Sequence, residues 1–412
     1  VLTVFIAAQF LLKVAEYNTS FRYGDFTSYY LAGAAVAEGE GAQLYAPGTS
    51  DQILAKAETD SVWRKIADER GVRDANYYLY PPFFAVFSAP LSLLPYDRAH
   101  DLWYLLNLAC LAGAVALLLR LGGKALTCEE KAAAVLLTAL LWPTLFTFGA
   151  GQANDLVLLL VVAGLLAASR GRDTAAGWAL AGATAIKLTP ALLLAWFLWK
   201  RRYRIAAWGA AGVLVLELSG LPAVGWEPYR AYVTEMVPLL SRGCAHWVNQ
   251  SLGAFLSRLG GAGIFDWSLA PDWGWVRMAM RAAALLFAGL LAWITRGKEG
   301  PDAMRLDFAL VLVTTLFLSP ISWIHHSILT LPAIFILIRH LIAGGRLTWG
   351  RILLVAAGYA LIAVYIKPPG IFDRALLSPL ASYHLAGNAV IWSLIAAERL
   401  HLRSSGREAT AA

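Results

Sequence analysis

The chain has 412 residues, of which 59% are hydrophobic and 15% charged, and its formal net charge is +7. About a quarter of a typical soluble domain is charged, so this composition excludes an ordinary soluble enzyme. The basic residues are scattered in short clusters between apolar runs, which excludes a nucleic-acid-binding face, and the isolated Cys110, Cys128 and Cys244 offer neither a metal site nor a disulfide framework.

Apolar runs long enough for ~30 Å of hydrocarbon recur throughout, which predicts an all-α polytopic membrane protein. The alternating short runs of an outer-membrane barrel are absent. The first run, 1–16, begins at Val1 rather than Met and has no A-x-A-like site after it, so it is read as an uncleaved, shortened first span. A first external segment, 17–97, follows. In it "SDQILAKAETDSVWRKIADERG" reads as a solvated helix and "YYLYPPFFAVFSAPLSLLP" as a helix lying in the interface. Further spans are expected over 98–120, 131–148, 153–169, 174–187, 189–200 and 204–221. After a second external segment, 222–274, come 275–295, 306–320, 325–341, 351–366 and 385–400. The pair 174–187 and 189–200 is broken at "IKLTP", because Pro190 cannot continue a helix. The basic clusters "RLGGK", "SRGR", "KRRYR", "RGKEG", "RHLIAGGRLTWGR" and "ERLHLRSSGRE" mark the cytoplasmic side. This topology has about twelve spans with both termini inside, and one membrane domain over 1–412.

On it, every polar candidate falls on the external side. Asp25 in "YNTSFRYGDFTSYY" has two equal readings: a helix cap before "FTSYYLAGAAVAEG", or a general base whose pKa is raised by its aromatic neighbours, Tyr29 among them. Tyr80 in "YLYPP" is an interfacial anchor at a Pro-Pro bend, or part of a cavity wall near Asp25. In "FGAGQANDL", Gln152, Asn154 and Asp155 together exceed what one helix cap needs. Lys187, between two apolar half-helices, either snorkels to the interface or meets an anionic lipid phosphate. Arg258 is a weaker candidate for the same duty, since external arginines also serve as anchors. Asn249 and Gln250 in "HWVNQS", with Trp323, His325 and His326 in "SPISWIHHS", supply the rings, amides and imidazoles that carbohydrate sites favour. Adjacent histidines on a helix point about 100° apart, so no metal site is expected.

These stretches, "GDFTSYY", "YLYPPFFAVFSAPLSLLP", "GQAND", "AGATAIKLTPALLLAWFLWKRRYR", "NQSLGAFLSR" and "SPISWIHH", together resemble glycosyltransferase family 87, in the expected order from residue 17 to about 330. The resemblance implies a C-type multi-pass glycosyltransferase, related to polyprenol-phosphate-mannose-dependent mannosyltransferases, that needs no cofactor. It further implies a polyprenyl-phosphate sugar donor, a glycolipid or glycan acceptor, inversion at the anomeric carbon, and transfer on the outer face of the cytoplasmic (inner) membrane. By the same resemblance Asp25 is the base, Lys187 and Pro190 form the Lys-x-x-Pro motif, and Trp323, His325 and His326 form the tryptophan-histidine stretch. Ala153 and Asp155 depart from many relatives, and the last ~70 residues match nothing, which leaves the acceptor side open. A lipid-linked-sugar transporter would instead show matched helix breaks in its two halves, which are absent here. A scaffold without activity would leave Lys187 unexplained.

Overall fold

A computed structural model describes residues 2–411 except 21, 46–60, 76, 122–125, 298–299 and 375. The described residues are helical and form no strand; the pairs Cys244–Leu269 and Asn249–Trp323 are isolated bridges. Helices α1 (Leu2–Ser20), α2 (Asp25–Ala37) and α3 (Val62–Glu69) precede α4 (Pro82–Ser88), which continues as a 3₁₀ turn over Ala89–Leu93. Next come α5 (Tyr96–Leu121), α6 (Cys128–Ala139), α7 (Trp142–Ala150), α8 (Asn154–Ser169), α9 (Asp173–Ile186), α10 (Ala191–Trp199) and α11 (Tyr203–Val224). Two short helices, α12 (Glu227–Ala231) and α13 (Val237–Ser241), are joined by a π-helical turn over Tyr232–Met236, and α14 (Leu252–Leu259) follows. The chain ends with α15 (Gly274–Thr295), α16 (Pro301–Leu318), a 3₁₀ turn Ile324–Thr330 running into α17 (Leu331–Ala343), α18 (Trp349–Ala363) and α19 (Tyr383–Ala411).

Each apolar run drawn from the sequence is helical, the run 131–148 as two helices, but the count of about twelve spans is not confirmed. Among the described residues, four helices are long and apolar enough to cross a membrane: α5, α11, α15 and the continuous segment Ile324–Ala343. The pair α6 and α7, bent by 49° where Pro143 follows the break, makes a fifth if taken as one span. Length is one reason, and the charged or polar residues of α1, α16 and α19 are another. At 1.5 Å per residue, α8, α9 and α10 reach only about 13–24 Å, short of the hydrocarbon thickness. The expected solvated helix is described only over α3, which Ser61 caps by accepting from the Arg64 N–H at 3.2 Å. One face of α3 is nevertheless buried through Trp63 and Ile66. The start of that segment, like parts of "RLGGK" and "RGKEG", lies outside the described residues.

The core is a row of α5, α8, α9 and α11, with α16 and α19 beside it and the Ile324–Thr330 turn wedged against α7, α8 and α16. Polar residues divide between the two ends of these helices. At the Asp173 end of α9, charges are paired: Arg202 with Asp173 at 2.8 Å, Arg339 with Glu130, and Arg346 and Arg351 with Glu398 at 2.8 and 2.9 Å. Deepest among them, the fully buried Asp307 carboxylate accepts from Arg399 at 2.6 Å and lies 3.6 Å from the Lys200 ammonium. The other end, ~20 Å along α9, holds the candidate site.

Asp307→Leu is therefore expected to cost about 3–5 kcal/mol, because it takes from the buried Arg399 the carboxylate it donates to. Asp307→Leu with Arg399→Met should recover most of that loss. Thermal unfolding of detergent-purified variants decides: equal midpoints for single and double variants would show that the pair is not coupled.

Candidate active site

The site begins with two glycines. A Cβ on Gly24 would lie 2.5 Å from the Ala150 carbonyl oxygen, and one on Gly151, in the left-handed region at φ 66°, would lie 2.9 Å from Phe26 Cβ. Only without those side chains can the start of α2 press against the α7–α8 turn. Phe26 stacks on Trp103, whose indole N–H donates to the Gly151 carbonyl at 2.9 Å and locks the turn. Asp25 and Gln152 thereby meet. Asp25 is the first residue of α2 rather than its cap; Gly24 holds that position, without a side-chain bond. The Asp25 carboxylate instead accepts a hydrogen bond from the Gln152 side-chain N–H.

Lys187 enters from the opposite side. At the end of α9 its backbone turns extended, at φ −141° and ψ 132°, before Pro190 leads into α10. This break directs the ammonium inward. Its three N–H donors meet the Gln152 carboxamide oxygen at 2.9 Å, the Asn154 oxygen at 2.6 Å and His326 Nε2 at 3.0 Å. A charged lysine can only donate, so His326 accepts through an unprotonated Nε2. The ammonium also lies 5.6 Å from the centre of the Tyr80 ring. Tyr29 and Tyr80 share a 2.8 Å bond and each reaches the same Gln152 oxygen, at 3.3 and 3.2 Å. Gln152 thus joins acid to base: its N–H₂ faces Asp25 and its oxygen faces Lys187.

Burial raises the Asp25 pKa above the ordinary carboxylate value, with the Gln152 hydrogen bond and the Lys187 charge pulling the other way. Burial and the nearby Asp25 charge push the Tyr80 phenol upward, so it stays a proton donor. The residues border a cavity of about 260 Å³. Its wall includes Asp25, Tyr80, Gln152, Lys187, Trp323 and His326. Ser28, Thr189, Tyr232 and Ser241 also line it and were not singled out from sequence. Tyr232 sits on the π-helical turn, a local feature that its sequence does not announce.

Other candidates lie elsewhere. Arg258 is fully buried with its guanidinium committed to the Ala245, His246 and Asn249 carbonyls and the Ser382 hydroxyl, and it does not border the cavity. Asn249 ties Cys244 and Pro320 together at 2.9 and 3.1 Å and accepts from the Ser251 and Ser322 N–H groups. Gln250 donates to Trp247 and Ala381 and accepts from the His384 N–H. These three side chains organise the loop that carries Trp323. The His325 ring is buried against Phe146, and both its nitrogens lack a hydrogen-bond partner among the described residues. Its contribution is through its backbone oxygen, which lies 3.4 Å from the Asn154 N–H₂. Asn154 touches Lys187 from behind the wall. Asp155 does not cap α8; its carboxylate is buried without a hydrogen-bond partner among the described residues.

Residues 78–320 match the model of glycosyltransferase family 87. The chain is 34% identical over 303 residues to the polyprenol-phosphate-mannose-dependent alpha-(1-2)-phosphatidylinositol pentamannoside mannosyltransferase of Mycobacterium tuberculosis, covering 71% of this chain and 66% of that one. It is 32% identical over 300 residues to the protein of the same description from Mycolicibacterium smegmatis, covering 71% and 69%. A phosphatidylinositol mannoside mannosyltransferase of M. smegmatis is 29% identical over 306 residues. The matches span about two thirds of these relatives' lengths. No solved structure matches the chain.

Gln152→Leu would strip a shared acceptor from Lys187, Tyr29 and Tyr80 and the donor from Asp25. A loss of about 1–3 kcal/mol is expected, the cost of leaving buried polar groups unpaired. An unfolding midpoint equal to that of the wild type would show that the carboxamide carries no such load.

Proposed function

The chain belongs to glycosyltransferase family 87, a family of membrane glycosyltransferases, and from that premise we propose that it moves a hexose from a polyprenyl-phosphate sugar to an acceptor hydroxyl. The relatives' names specify polyprenol-phosphate-mannose as donor and phosphatidylinositol mannosides as acceptors. Carried to this chain, they make mannose the sugar and a glycolipid the acceptor. The observation that carries the reading is a carboxylate and an ammonium on one cavity wall, joined through a single carboxamide.

The chemistry follows from that pair. The Asp25 carboxylate takes the proton of the acceptor hydroxyl as its oxygen bonds to the anomeric carbon. The bond from that carbon to the phosphate oxygen breaks in the same step, and the lipid phosphate leaves with the electron pair. Attack opposite the leaving group inverts the centre, so one carboxylate suffices. Lys187 offsets the charge growing on the phosphate, exchanging one of its neutral acceptors for an anionic oxygen. His326 and Tyr80 orient the phosphate and the sugar ring, and Trp323 offers its face to the sugar. Arg258 supports this wall from behind, through the loop carbonyls it holds.

The same reading gives the chain a C-type arrangement of about twelve membrane segments in a single domain, with the short helices buried against longer ones. Its paired basic end faces the cytoplasm, and the cavity opens on the external side of the cytoplasmic membrane. The basic clusters "SRGR" and "KRRYR" at the Asp173 end support that orientation.

Purified protein given polyprenyl-phosphate mannose and phosphatidylinositol mannosides should transfer sugar, and Asp25→Asn should slow transfer by about 10²–10⁴ while eluting and melting as a folded protein. A folded Asp25→Asn protein working at the wild-type rate sinks the assignment. The base acts ionised, so kcat/KM should rise with pH through a midpoint above the usual carboxylate range of about 4. Lys187 holds that pKa down, so Lys187→Met should move the acidic limb to higher pH as well as weaken the donor. A limb that stays or moves down would show that the two groups do not communicate.

A further inference from the structure

A second concavity, about 300 Å³, adjoins the reaction cavity and shares Ser241 and Pro320 with it. Three arginines border it: Arg242 just beyond α13, and Arg277 and Arg281 one turn apart on α15. Their surroundings differ. Arg277 is bound to both oxygens of Asp272, and Arg242 donates to the Ala270 carbonyl at 3.4 Å. Arg281 is exposed and makes no hydrogen bond or ion pair among the described residues. Among the described bordering residues only Asp272 is acidic, and it is taken by Arg277, which leaves the charge of Arg281 without an acidic neighbour there.

The position of Arg281 makes that surplus informative. It lies seven residues into α15, ~10 Å below the start of a helix apolar enough to cross the membrane. Only 17% of the apolar window of α15 is buried, and Met278, Leu285 and Leu286 are exposed, so this helix faces lipid. An arginine at such depth is costly unless an anion or water meets it. Beside the guanidinium groups the wall is apolar, built by Val276, Met280, Ala284 and Leu318. Guanidinium groups and apolar side chains on one wall are the complement of a phospholipid's phosphate and acyl chains.

We propose that this groove is the acceptor subsite and that Arg281, with Arg242 and Arg277, binds the phosphodiester of the acceptor glycolipid while its acyl chains run down α15. The proposal rests on the glycosyl-transfer reading. It separates the two anions of the reaction: the donor phosphate at Lys187, the acceptor phosphate at the arginines. Arginine suits the second duty, since its planar fork matches a phosphate's oxygens.

The test compares phosphatidylinositol dimannoside with a diacylglycerol dimannoside that lacks the phosphate, as acceptors for the full-length protein. Wild-type KM should favour the phospholipid by about tenfold, the worth of one hydrogen bond to a charged group. In Arg281→Gln that ratio should fall toward one while the KM for polyprenyl-phosphate mannose holds. An unchanged ratio in both Arg281→Gln and the Arg277→Gln/Arg281→Gln protein overturns the subsite, as does a parallel rise in the donor KM. Arg281 touches no other described side chain by hydrogen bond, so its loss should leave folding intact. Native mass spectrometry supplies an arm free of catalysis: phosphatidylinositol should be retained by wild type and lost from Arg281→Gln, and equal retention also overturns the proposal. Retention that depends on Arg281 in a protein that transfers no sugar would instead refute glycosyl transfer and leave the phosphate site standing.

Discussion

The carboxamide of Gln152 is the constraint around which the site is built. Asp25 and Lys187 carry opposite charges in a half-buried cavity, and in direct contact they would form an ion pair. Such a pair would lower the pKa of the carboxylate and neutralise the cation, removing the properties that make either useful for the proposed transfer. A side-chain amide is both donor and acceptor, so one residue can satisfy a carboxylate on one side and an ammonium on the other. Neither charge is cancelled. Asp25 keeps a raised pKa, and Lys187 has its donors filled by neutral acceptors that an anion can displace.

Holding that bridge is a demand on the backbone. Gly24 and Gly151 remove the atoms that would separate α2 from the α7–α8 turn. Trp103 bolts the turn from α5, and the extended backbone at Lys187 interrupts the α9–α10 run where the ammonium is needed. These interruptions free backbone groups, so the cavity and the polar side chains around it have to serve them. The short helices that leave the count of about twelve spans unconfirmed are the same ones that deliver Asn154 and Lys187.

That relation explains what could be read in the sequence. Helix positions were legible because apolar periodicity and prolines act locally, and the α9–α10 break was visible in "IKLTP". Lys187 stood out because an intramembrane lysine is expensive, and Gln152 because "GQAND" holds more polar groups than a cap uses. Asp25 could not be separated from a helix cap, since both roles place an acid before a helix. The two glycines and Gln152 decide against the cap, through contacts about 127 residues apart in sequence. Arg258, Asn249 and Gln250 have the chemistry of a ligand site, but they spend it on loop carbonyls and backbone N–H groups. Composition does not distinguish a donor facing a void from one facing a carbonyl. His325 and His326 make the point at one-residue spacing: one ring packs on Phe146, while its neighbour meets Lys187.

The buried Asp307 and the cavity residue Lys187 manage charge differently. At the Asp173 end, even Arg399 and Asp307, out of contact with solvent, are set against each other. Pairing there favours a fixed structure, since either charge alone would be costly. At the cavity end, Lys187 is surrounded by neutral acceptors and Arg281 has no acidic partner among the described residues. A bundle selected for stability alone would pair or discard both cations. Their retention makes sense if each is completed by a substrate, and two stations are needed because two lipid phosphates in one pocket would repel each other. On that view, separate cations in adjoining cavities bring the acceptor hydroxyl to Asp25 while keeping its phosphate away from the leaving group.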